Sequence, residues 1–216
     1  MQIFEFIKNR YILLTVFSFL LCGCNGQSNS QNKYLKSKSE FNDSLTEHFP
    51  NELATYPREI IKDKNISKNN FCFILYEYKA NLNKVDSVLN SIRDISIGKY
   101  SSKDPCLLIV NRFETIDTYE NRKVVEITDS LKVNRDCYKN FYPTPNFINY
   151  NSSSKSNGFL DKEFELYVLG AKSGNFWKEY NLKPNPQMPI EWANGYSKGV
   201  AVSLDKKTLI YWFIVW

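Results

Sequence analysis

The chain has 216 residues, enough for one ordinary domain and too few for two comfortable ones. Hydrophobic residues make up 43% and charged residues 24%, which excludes a disordered chain and fits a protein that buries a real core. The formal net charge of +5 comes from lysines scattered among acids, with no basic stripe, so no nucleic-acid partner is expected.

Lys8 and Arg10 precede the apolar run "YILLTVFSFLLC", residues 11–22. A membrane-spanning helix takes about 20 residues, so this run is too short to cross. A positive segment followed by a short apolar one is the pattern of an export signal. The stretch Leu21-Cys22-Gly23-Cys24 resembles the bacterial lipobox, in which leucine and two small residues precede the cysteine that is lipidated. On that resemblance Cys24 accepts the fatty-acid chains and becomes the first mature residue, while Cys22 leaves with the signal. One acyl chain binds a membrane only marginally, but lipoproteins of this class carry two or three, which makes the attachment lasting. Residues 1–23 are therefore read as a lipoprotein signal peptide. Residues 24–38, starting at the lipidated cysteine, are polar and nearly free of aliphatic side chains, and are read as a flexible tether. Asn25 follows Cys24 where aspartate commonly favours inner-membrane retention, so the expected location is the outer membrane, facing the periplasm.

Residues 39–216 are expected to form a single globular α+β domain. Ser39 is a candidate cap for a short helix that places Phe41, Leu45 and Phe49 on one side. "FCFILYEY", residues 71–78, reads as an aromatic-rich strand. "NKVDSVLNSIRDI", residues 83–95, puts Val85, Val88, Leu89, Ile92 and Ile95 on one stripe and is the clearest helix. "CLLIVN", residues 106–111, reads as the next strand, joined to the first as a parallel pair by a right-handed crossover. Residues 122–127 are a candidate extra strand. Residues 137–158 are rich in Asn, Ser, Pro and aromatics and read as a long loop. "FELYVLG", residues 164–170, is another strand. At the end, "GVAVSLDKKTLIYWFIVW" is the strongest hairpin signal, and its last strand is apolar on both faces, as a strand in the middle of a covered sheet must be. The expected fold is thus a mixed, mostly antiparallel sheet with one or two helices packed on it and a C-terminal β-hairpin.

Motifs that carry chemistry are few. The only histidine, His48, lies beside an expected helix end, where a solvated or capping role is the ordinary one. No GxSxG, HExxH, GxGxxG or P-loop pattern occurs. One histidine and widely spaced cysteines do not make a zinc site, so no metal and no cofactor is expected. Glu114, Asp117 and Glu120 recur at helical spacing, the pattern of a wet face. Once Cys24 is lipidated, Cys72, Cys106 and Cys137 remain; Cys72 sits inside an apolar strand, and Cys106 with Cys137 is the candidate disulfide. In "NPQMPIEWANGYSKG", residues 185–199, Trp192 and Tyr196 lie on a proline- and glycine-bearing loop. Together with Phe141 and Tyr142 of the other long loop they are the candidate partner-binding face.

The tail "GYSKGVAVSLDKKTLIYWFIVW", beside the N-terminal signal, resembles the C-terminal part of small uncharacterised lipoproteins of Bacteroides-type bacteria. The resemblance implies an envelope location and a shared fold, and brings no catalytic residues with it. The function expected is that of a membrane-anchored, non-enzymatic envelope lipoprotein, binding or structural, with an envelope protein or glycan as partner. An immunity-type lipoprotein that neutralises an incoming toxin is the alternative.

Overall fold

The computed structural model describes residues 25–65, 70–121, 123, 125, 127, 129–147 and 163–216. The expected signal and Cys24 lie outside them. The described chain forms two compact units, residues 25–42 with 51–53, and residues 43–50 with 54–216.

The first unit corrects the tether. Asn25–Ser39 is an α-helix, α1. Its signal is not an apolar stripe. Gln31 holds the helix to residues 51–53 through both ends of its amide: Nε2 donates to the Asn51 carbonyl at 2.8 Å, and Oε1 accepts from the Leu53 N–H at 2.8 Å. Lys36 and Lys38 fall in the last turn, where cations favour the carbonyl end of a helix.

The second unit is an α+β fold around a six-stranded sheet. Its strands are β1 (Arg58–Asn65), β2 (Asn70–Glu77), β3 (Gly98–Ser101), β6 (Glu165–Ser173), β7 (Gly195–Ser203) and β8 (Thr208–Val215). The order is β1-β2-β8-β7-β6-β3, with every neighbouring pair antiparallel. β4 (Ile109–Val110) and β5 (Thr144–Pro145) make a separate two-stranded parallel ladder. The terminal hairpin is present, and β8 lies between β2 and β7 with all of its residues buried.

Helices are short. α2 (Asp43–Thr46) is a single turn rather than the longer helix expected over 39–50, and Phe49 leaves it to pack on the sheet. α3 (Leu82–Ile92) begins where the Asn81 side chain accepts the Lys84 N–H at 2.8 Å. Val85, Leu89 and Ile92 are its buried stripe, and it lies along β7. The helix stops at Ile92, so Ile95 stands exposed instead of extending the stripe. α4 (Ile116–Glu120) carries Asp117, which pairs with Lys123 at 2.7 Å.

The expected parallel pair within the main sheet does not form. Only Ile109–Val110 of the 106–111 stretch is strand, and its partner is β5. The stretch is apolar all round because it is a cover: Leu107 and Ile109 pack with Ile74, Leu166, Ala201, Ile210 and Trp212 on one sheet face. Residues 123, 125 and 127 are not in a strand, and the rest of the 122–127 expectation lies outside the described residues. The expected loop over 137–158 includes part of a 3-10 helix (Asp136–Asn140) and all of β5; residues 148–158 lie outside the described residues.

On the opposite sheet face, Phe49 packs against Phe73 and Tyr211 at 5.1 and 5.9 Å between ring centroids. Trp177 covers Phe71 and Phe213 at 4.7 and 6.3 Å. β7 shows why its small residues alternate. Gly195, Ser197, Gly199 and Ala201 share a face, and the indoles of Trp212 in β8 and of Trp216 just after it lie across it. A β-carbon on Gly195 would come 2.9 Å from the Trp216 ring, and one on Gly199 would collide with the Trp212 ring and the Tyr167 carbonyl.

Candidate functional site

The loop that carries Trp192 is held by amides. Asn111 adopts a left-handed backbone with φ of 57°, which asparagine tolerates, and so turns its side chain toward the loop. Asn185 Nδ2 donates to Asn111 Oδ1 at 2.7 Å, and Asn185 Oδ1 accepts the Gln187 N–H at 2.9 Å. Gln187 Oε1 in turn accepts the Phe113 N–H at 2.9 Å. Asn185 and Asn111 are buried, so these bonds form where water does not compete and fix the loop firmly.

Trp192 is half-buried at the end of a 3-10 turn (Ile190–Trp192). Its ring leans on Trp216 at 6.3 Å and meets Tyr142 edge-on at 6.5 Å, and its carbonyl accepts the Trp216 indole N–H at 2.8 Å. Phe141 and Trp192 both pack against the buried cluster of Leu108, Val110, Tyr138, Met188, Ile214 and Trp216. Phe141 also faces Tyr100 at 4.7 Å, and the Tyr100 hydroxyl accepts the Tyr142 N–H at 2.9 Å. Three residues of the candidate face, Trp192, Phe141 and Tyr142, are thus brought together on rigid supports and remain partly exposed.

Tyr196 is not with them. It lies inside β7 opposite Val215, so strand alternation sends it to the face away from Trp216 and Trp192. There it meets Phe176 edge-on at 4.7 Å.

Cys106 and Cys137 are joined in a disulfide with 5.5 Å between their α-carbons. It ties the turn before β4 to the Asp136–Asn140 helix behind Phe141. Cys72 is a free thiol, and burial pushes its pKa up to about 12. It borders a cavity of about 40 Å³ with Asp63, Asn70, Glu114 and Asn146, which is room for about one water molecule and not for an organic substrate. No group of three or more His, Cys, Asp or Glu residues that could hold a metal occurs among the described residues.

His48 is neither solvated nor a helix cap. Its Nε2 donates to the Trp212 carbonyl at 3.0 Å, and its Nδ1 is buried without a hydrogen-bond partner. Next to it, Lys198 reaches Glu47 and the Ser44 carbonyl, each at 2.6 Å, and clamps the 43–50 segment over the sheet. Burial lowers the His48 pKa from 6.5 to about 3, so the ring is neutral at physiological pH. Between those values only the unfolded chain takes up the proton. The stabilisation is therefore complete above pH 6.5 and is lost as pH falls toward 3. At about 1.4 kcal/mol per pH unit, lowering the pH from 6.5 to 5 costs about 2 kcal/mol from this residue. Urea unfolding at the two pH values measures this directly. His48→Gln should flatten the dependence by that amount, and an unchanged slope in the variant would contradict the assignment.

No family model, curated protein or solved structure matches the chain.

Proposed function

We propose that the chain is a lipid-anchored, non-enzymatic protein of the bacterial cell envelope, held at the outer membrane facing the periplasm and binding a protein or glycan there. The observation that carries this reading is Leu21-Cys22-Gly23-Cys24 set directly after a short apolar run with positive residues ahead of it. The Cys106–Cys137 disulfide supports export, because such bonds persist in oxidising compartments. The neutral, enclosed His48 is committed to a backbone carbonyl and is not placed to act as a general base. The binding face is Trp192 with Phe141 and Tyr142, aromatic side chains on loops whose backbones are already fixed, so that little order is lost when a partner arrives.

The test is metabolic fatty-acid labelling and in-cell crosslinking of the tagged chain beside two variants. Cys24→Ser should carry no label and leave the membrane fraction, whereas Cys22→Ala should keep both. Trp192→Ala should keep the label and a cooperative melt and lose its crosslinked partners. Label retained in the Cys24→Ser chain sinks the anchor; unchanged crosslinks in the Trp192→Ala chain sink the binding face.

A further inference from the structure

Arg112 is half-buried and its guanidinium carbon lies 5.4 Å from the centre of the Tyr138 ring. Arg135 is exposed, and its guanidinium carbon lies 5.6 Å from the centre of the same ring. Each is tied to one turn: Arg112 donates to the Leu107 carbonyl, and Arg135 donates to the Pro105 carbonyl at 3.3 Å. Tyr138 is itself buried, and its neighbour Cys137 is bonded to Cys106 of that turn. The disulfide thus brings together two cations that are 23 residues apart in the chain and keeps them there.

Two like charges gathered around one ring repel each other, and burial makes the repulsion worse. A half-buried guanidinium normally has a carboxylate to offset that cost. Neither arginine is paired with one among the described residues. Asp136, beside Arg135, pairs with Lys139 at 2.8 Å, and Asp104, beside the turn that both arginines hold, accepts the Cys106 N–H at 2.8 Å through Oδ1. Each arginine spends part of its fork on a carbonyl and retains further N–H donors, and a guanidinium fork matches the oxygens of a phosphate. Tyr138 gives the cations a stiff, apolar backing.

We propose that Arg112 and Arg135 form an anion site on the Cys106–Cys137 disulfide whose ligand is a phosphate group, carried either by a soluble phosphate or by a lipid headgroup. A dianionic phosphate complements two neighbouring guanidiniums better than a single carboxylate does, because its charge matches theirs. The site does not depend on the lipid anchor; it shares Tyr138 and the Asp136–Asn140 helix with the aromatic face but uses different side chains.

Calorimetric titration of the full chain with inorganic phosphate and with dihexanoyl phosphatidic acid, at constant ionic strength set with chloride, tests it. The wild-type chain should bind at least one of them saturably. Arg135→Gln, a change at an exposed position, should weaken that binding about tenfold, the usual worth of a charged hydrogen-bonding partner. Arg112→Lys keeps the charge but loses the fork and should weaken it too. Tighter binding of the phosphatidic acid assigns the lipid headgroup, and equal or weaker binding assigns the soluble phosphate. No saturable binding to either probe, or equal affinity in the wild-type and Arg135→Gln chains, overturns the proposal.

Discussion

A chain that stops before Tyr211 is expected to show no cooperative unfolding transition. The deletion removes Tyr211, Trp212, Phe213, Ile214, Val215 and Trp216, all of them at most 5% exposed. Burying one large apolar side chain is worth about 1.5–3 kcal/mol, so six of them outweigh most of the roughly 5–15 kcal/mol that separates a folded domain from its unfolded chain. The loss is topological as well. β8 pairs with β2 on one side and β7 on the other, so cutting it separates β1-β2 from β7-β6-β3. A thermal scan followed by circular dichroism decides the matter, and a sigmoidal melt of the truncated chain would contradict the assigned role of β8.

Trp212→Ala should cost about 3–5 kcal/mol, the range for an aromatic removed from a packed core. The indole lies across Gly199, meets Phe147 edge-on at 5.5 Å, and donates to Ser197 Oγ at 3.3 Å. Ser197 in turn donates to the Pro143 carbonyl at 2.6 Å, so the same ring helps fasten the segment leading into β5. Gly199→Ala probes the seat from the other side, because its β-carbon would occupy space the ring now fills. If the two residues share that space, the alanine at 199 should cost less once the indole is gone, and the double variant should be more stable than the sum of the single losses implies. Strictly additive losses in urea unfolding would show that ring and glycine do not contact as described.

What could be read from the chain beforehand tracks how strongly one physical signal dominates each segment. β8 was plain because no polar residue interrupts "LIYWFIVW", and α3 because its stripe is regular and Asn81 caps it. β1 gave no such signal. "REIIKDKN" sits at the sheet edge, where only part of the strand is covered, so charges occupy positions that a central strand would give to apolar groups. α1 has no apolar stripe to read, because its anchors are one buried tyrosine, Tyr34, and the Gln31 amide. The 106–111 run was apolar enough for a central strand, but apolar pattern alone does not separate a strand from a cover lying on one. The same limit applies to the candidate face. Trp192, Phe141 and Tyr142 are aromatics on loops, a signal the sequence carries, whereas Tyr196 belongs to the strand, because β7 begins at Gly195, one residue before it. Arg112 and Arg135 had no sequence signal in common, since the disulfide and Tyr138 bring them together.

The edge strand β1 has one further consequence, which concerns neighbours of the same kind. An edge strand offers its backbone to any strand that can align with it, including the β1 of a second copy. Two copies of β1 related by a two-fold axis must run antiparallel, and residues directly opposite must point to the same side, so only registers that pair like-parity positions are open. Centred on Ile60, such a register sets Arg58 against Lys62; centred on Ile61, it sets Glu59 against Asp63. Centred on Glu59, Lys62 or Asp63, it sets that residue against itself. Like charges directly opposite are destabilising in every one of these alignments. The spacing of charge along eight residues therefore disfavours the joining of two copies into a common sheet through this edge.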